Sequence, residues 1–213
     1  MDAFEKARQY FLSNQPDFWN NIRIHLTLSF SALALGVLIG VTLGVLIARR
    51  LRLAEPVINL FGTLRLVPSI AVLFLVFPYL RTGFRPALVA LTVLAVPPIL
   101  INTYAGLRGV SRATVEAARG MGMTSAQVLG RVELPLALPA IIAGLRSATV
   151  EVIASATLAA FIGGGGLGNF ITRGYAINDP AIMLVGAIPV ALLALLAELL
   201  LGLLERRLSI PLA

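Results

Sequence analysis

Four ionisable residues stand inside stretches that are otherwise apolar: Arg65, Arg146, Glu151 and Glu198. Placing such a group in hydrocarbon costs about 2.5–3.5 kcal/mol on insertion scales, so each is a candidate functional residue. Arg146 and Glu151 are five residues apart. That is about 140° around a helix, so they do not share a face. Two roles stay open for both: lining a polar pathway, or pairing with neighbouring helices. Arg65 is placed to snorkel toward an interface, and Glu198 reads as a residue of structure or assembly. Catalysis finds little support. Hydrolysis in a membrane needs a Ser-Lys or Ser-His pair, a carboxylate dyad or a metal. Lys6 and His25 are the only residues of their kind, and His25 sits at the edge of an apolar run. A metal site wants several convergent ligands, and the chain has Cys 0.

The glycines also invite a chemical reading. Gly163, Gly164, Gly165 and Gly166, with Gly168, satisfy G-x-G-x-x-G. A dinucleotide loop needs a strand before it and a helix after it. This run follows an apolar helical stretch and has no neighbouring Lys. It reads instead as a turn that permits close packing, or as a hinge or external gate. Gly36, Gly40 and Gly44 repeat G-x-x-x-G, which lets another helix approach. Packing within one subunit is expected there. Pro97-Pro98 is expected to kink its helix.

The elements that carry these residues follow from composition. The 213 residues are 58% hydrophobic and 13% charged, with mean hydropathy +0.92. Soluble domains are about 45–50% apolar and about 25% charged. The balance points to an all-α integral membrane protein of one domain. A spanning helix needs about 20 apolar residues. Five runs qualify, over about 24–48, 57–80, 86–107, 136–162 and 180–204. The first 23 residues do not have the basic start and short apolar core of a signal peptide.

Five spans put the ends on opposite sides. With the N-terminus outside, nine arginines face inward: Arg49, Arg50, Arg52, Arg108, Arg112, Arg119, Arg131, Arg206 and Arg207. Six basic residues face outward: Lys6, Arg8, Arg23, Arg81, Arg85 and Arg173. The bias favours an outside N-terminus and a cytoplasmic C-terminus. It also accounts for the net +7 without nucleic acid.

That orientation places the segment 108–135 in the cytoplasm. Most of residues 113–121 are good helix formers, and Gly122 supplies the left-handed position that ends a helix. Thr124 and Gln127 form a capping box that starts a second helix, expected to stop near Pro135. The result is helix, glycine corner, helix at the membrane surface. The small Ala117 and Ala118 allow close approach of a partner backbone. Glu116 and Arg119 can make polar contacts at its rim.

This segment resembles the cytoplasmic motif of ABC importer membrane subunits: E-A-A, three residues, G, nine residues, I-x-L-P. Here it is Glu116-Ala117-Ala118, Arg119 to Met121, Gly122, nine residues, then Val132-Glu133-Leu134-Pro135, with Val for Ile. The stretches 134–171 and 186–208 resemble the permeases for glycine betaine, choline, carnitine and related osmoprotectants. The methionine-import permeases, with five spans and a similar glycine-rich stretch, are the nearest competitor.

The resemblance implies a type I ABC importer permease fold, like that of the methionine permeases, in a bacterial inner membrane. It implies a coupling helix seated on a separate ATPase subunit, and a second permease copy or close paralogue. An external substrate-binding protein would supply the substrate. ATP and Mg would be bound by the ATPase, with no cofactor on this chain; no G-x-x-x-x-G-K-[ST] occurs in it. Aromatic residues are 7% of the chain. Phe74, Phe77, Tyr79 and Tyr104 are scattered rather than arranged as a cage for a quaternary ammonium group. High-affinity recognition is therefore expected on the binding protein.

Overall fold

A computed structural model describes residues 2–208, and these are almost entirely helical. Among the described residues, four helical runs are long and apolar enough to cross a membrane: Gln15–Arg49, Phe84–Gly109, Ser125–Ile162 and Pro180–Leu208. A fifth crossing is available if the pair Arg52–Leu64 and Ser69–Leu80 counts as one span. We label the helices α1 (Ala3–Ser13), α2 (Gln15–Arg49), α3 (Leu51–Leu64), α4 (Ser69–Leu80) and α5 (Phe84–Gly109). They continue as α6 (Arg112–Gly120), α7 (Ser125–Val128), α8 (Leu134–Ser155), α9 (Gly168–Ala176) and α10 (Pro180–Leu208).

The core forms where α2, α5 and α8 meet. Leu28, Leu91, Ile99 and Val152 are fully buried there. The α2 glycines make the contact close. A Cβ added at Gly36 would lie 2.6 Å from Ala95 Cβ, and one at Gly44 would lie 2.6 Å from Thr103 Cβ. The G-x-x-x-G face thus packs within the chain, as its spacing suggests. Gly144 of α8 meets an adjoining face of α5, where an added Cβ would lie 2.7 Å from the Pro98 carbonyl oxygen. Helix α5 continues through the buried Pro97 and Pro98.

Two elements differ from the sequence reading. The stretch expected as one span over 57–80 is broken, and its halves bend by 96°. Pro68 precedes α4 with extended backbone, ψ 134°. A proline disfavours helix in the residue before it and donates no N–H, so the helix restarts after it. The second difference is at Pro135, which does not end the helix. A π turn over Leu129–Glu133 joins α7 to α8, and the helix runs on from Ser125 to Ile162. Such a turn opens the backbone where a proline ring would meet the preceding carbonyl. The last turns, Ala156–Ile162, tighten to 3₁₀ geometry.

The first residues form an amphipathic helix. Ala7 is buried, Tyr10 and Phe11 pack against α10 and α9, and Lys6, Arg8 and Gln9 are exposed. Sequence reading assigned no element there.

Candidate functional site

The motif segment folds as a knob. Helix α6 ends in a Schellman closure, in which Met123 N–H donates to the Ala118 carbonyl at 3.2 Å and Gly122 N–H donates to the Arg119 carbonyl at 2.9 Å. Gly122 has φ +85°, the left-handed position read from its spacing. The capping box also forms: Thr124 N–H donates to Gln127 Oε1 at 2.8 Å, and Gln127 N–H donates to Thr124 Oγ1 at 3.3 Å.

Burial divides the motif. Glu116, Ala117, Arg119 and Gly122 are exposed, whereas Ala118 is 2% exposed and faces inward. Only one of the two alanines expected to admit a partner is therefore open to one. Met121, which sequence reading passed over, is 77% exposed beside Gly122. Its signal was a long apolar side chain in a polar segment. Val132 and Leu134 are half-buried and Pro135 is exposed, on the helix that continues upward. Glu133 pairs with Arg49 at the end of α2. This tie spans 84 residues of sequence, so nothing local announces it. Arg49, Arg108, Arg112, Arg119, Glu116 and Glu133 line a cavity of about 430 Å³ behind the knob.

The membrane-embedded charges separate into two groups. Arg146 leaves α8 toward α10, where it pairs with Glu198 and, at 3.0 Å, with Glu205. Glu198 and Glu205 are seven residues apart, two turns along one helix face. Glu205 lies just past the fifth expected span, and its seven-residue spacing from Glu198 was the available signal. Gly202, between them, leaves room for the guanidinium. Glu151 joins no ion pair of 4.0 Å or less among the described residues; its charged neighbour is Arg65, at the end of α3. The structure therefore does not bring Arg146 and Glu151 together.

The glycine turn lies at the opposite end of the helix from the knob. Gly163, Gly165 and Gly166 all have positive φ, between 74° and 88°. Gly164 packs between Ala87 and Ala159, and Gly166 rests on His25. The Gly83 N–H donates to the Ile162 carbonyl at 2.8 Å, holding the loop before α5 against the turn. His25 is fully buried, and its Nε2 donates to the Ile153 carbonyl at 3.2 Å. Asn169 Nδ2 donates to Asn21 Oδ1 at 2.9 Å, tying α9 to α2. The turn is thus fitted into a socket of α2 and α5. No strand precedes it, and among the described residues no group of three acidic, His or Cys side chains could hold a metal.

Comparison with known proteins agrees with this arrangement. The carnitine transport permease protein OpuCB of Listeria monocytogenes is 46% identical over 185 residues, covering 87% of this chain and 85% of that protein. The glycine betaine/carnitine/choline transport system permease protein OpuCB of Bacillus subtilis is 42% identical over 185 residues, with the same coverage of each chain. Among solved structures, the inward-facing MetNI methionine ABC transporter superposes with a TM-score of 0.79. It covers 92% of this chain and 98% of its own at 24% identity, a likeness of fold. The family model for the inner membrane component of binding-protein-dependent transport systems matches residues 36–210. Its match takes in the glycine face of α2, the whole motif segment and the glycine turn, and the chain belongs to that family.

Proposed function

We propose that this chain is the permease subunit of an ATP-driven importer for a trimethylammonium osmoprotectant, of the glycine betaine, carnitine and choline class. The observation that carries the mechanism is the exposed knob at Glu116, Ala117, Arg119, Met121 and Gly122, built on the base of a spanning helix. The names of the relatives, identical at 46% and 42%, carry the substrate class.

In this reading the knob, with Val132, Leu134 and Pro135 at its base, seats in a cleft of a separate ATPase, which alone binds ATP and Mg. Ala118 packs inward and holds α6 in place. Two permease copies, or this chain and a close paralogue, enclose the pathway. The glycine turn at Gly163, Gly164, Gly165 and Gly166 stands at the external side as a gate. The N-terminus is outside and the C-terminus in the cytoplasm of a bacterial inner membrane. An external binding protein delivers the substrate.

The deciding experiment is competition uptake in vesicles reconstituted with the permease, its ATPase and its binding protein. Glycine betaine, choline and carnitine are expected to compete, and methionine is not. Competition by methionine alone overturns the osmoprotectant reading in favour of an amino-acid importer.

A further inference from the structure

Helix α1 leans on the start of a membrane span and leaves a slot between the two. Asn14 and Ser13, at the C-terminal end of α1, share a small cavity with Asp179 and Ala181, at the head of α10. Phe4 and Ala7, toward the N-terminal end, share another with Leu184 and Ile188. The two helices therefore run in opposite directions, and the N-terminal end of α1 points along the span. Ile188 is eight residues into α10, about 12 Å along its axis. The apolar run 180–204 is about 37 Å long, against a hydrocarbon core of about 30 Å. Even with all of that excess on this side, Ile188 lies inside the core of the bilayer.

The slot has a volume of about 300 Å³, and apart from Arg8 every side chain lining it is apolar. Buried Ala7, Phe18 and Val185 close it on the inside, while Phe4, 63% exposed, and Ile188, 40% exposed, leave it open on the outside. From Ile188 an exposed apolar stripe continues down α10 through Leu192, Leu195 and Leu199. Steps of three and four residues keep it on one helix face. A slot that is apolar, open and continuous with the outer face of a span fits a hydrocarbon chain rather than a solute. Arg8 adds the polar end. Its ion pair with Glu5, at 3.9 Å, is exposed on both sides, and a guanidinium has more N–H donors than that one contact uses. Its aliphatic stem can lie along the slot while its head reaches the interface.

We propose that this slot binds one phospholipid from the leaflet on the glycine-turn side, with an acyl chain between α1 and α10 and the phosphate on Arg8. A guanidinium holds a phosphate through paired N–H···O bonds. The acyl chain completes the packing of α1 on α10, so the lipid fastens the N-terminal helix to the span.

The test is photocrosslinking of the full chain, purified from bacterial membranes and washed in lipid-free detergent. Benzoylphenylalanine replaces Phe4, at the slot, or Leu195, on the same stripe outside it. After irradiation, intact mass is expected to show a phospholipid adduct at position 4 that is several-fold stronger than at 195, where annular lipid washes away. Arg8→Gln should lower the adduct at position 4 about tenfold, the size of one lost charged hydrogen bond. Ala7→Leu, which fills the slot, should also remove it, with gel filtration showing that the variant is folded. Arg8 is exposed, so its variant decides the matter even where Ala7→Leu folds poorly. Equal adducts at 4 and 195 mean annular lipid only and overturn the site. So does a protein–protein crosslink from position 4, which gives this face to a second copy, and so does an adduct unaltered by Arg8→Gln.

Discussion

At residue scale the motif alanines do different work. Ala117 faces out and Ala118 faces in, although the two are adjacent and chemically identical. A bulky group at Ala117 meets nothing in this chain but obstructs the docking cleft. The same group at Ala118 must displace buried neighbours, and overpacking costs about 1–3 kcal/mol. We expect Ala117→Trp to leave expression and detergent stability at wild-type values while uptake is lost. Ala118→Trp should lower the melting temperature itself. Gly122→Pro should also abolish uptake, because proline fixes φ near −65° where the chain needs +85°. Uptake and thermal unfolding of the same three variants check this; normal transport by Ala117→Trp at normal expression removes the docking role.

At element scale, the ion cluster between α8 and α10 is a clasp. Arg146 neutralises part of the charge of two carboxylates on α10. Removing the cation alone takes the Arg146 contact from both carboxylates at the edge of the membrane. Arg146→Gln is therefore expected to reduce membrane yield several-fold, and adding Glu198→Gln and Glu205→Gln should restore much of it. Membrane-fraction yield and gel-filtration profile read the effect. If the triple variant is no better than the single one, Arg146 serves something other than these two carboxylates.

The same elements show how far sequence reached. The Schellman closure and capping box were legible because each is set by a few adjacent residues, Ala118 to Gln127. The glycine face of α2 was legible because helical spacing alone predicts it. The break at 65–68 was not, although Pro68 was visible, since apolar composition runs through it unchanged. Pro135 misled for the opposite reason. Proline ends an α-helix by default, but a single π turn relieves the clash, and nothing local declares that turn. Arg49 with Glu133, and Arg146 with Glu198 and Glu205, are long-range meetings that depend on how the helices pack.

At the scale of the whole molecule, orientation is the proposal to test directly. The natural sequence contains Cys 0, so single cysteines can be introduced without clearing others. Met121 and Tyr175 are 77% and 76% exposed and lie on elements at opposite ends of the fold. A membrane-impermeant maleimide added outside intact cells should label Tyr175→Cys and spare Met121→Cys until the membrane is opened. The reverse pattern inverts the topology and removes the motif from any cytoplasmic ATPase.

The unbroken helix from Ser125 to Ile162 gives this molecule a lever. Its 38 residues make a rod about 57 Å long at 1.5 Å per residue. The foot of the rod belongs to the docking motif, and its tip meets the glycine turn. Had Pro135 ended the helix, a push on the motif would be absorbed by a loop at the membrane surface. Because the π turn carries the helix past that proline, a tilt of about 10° at the foot sweeps the tip through about 10 Å over that length. One bulged turn in the backbone thus decides whether work done at one face of the membrane arrives at the other.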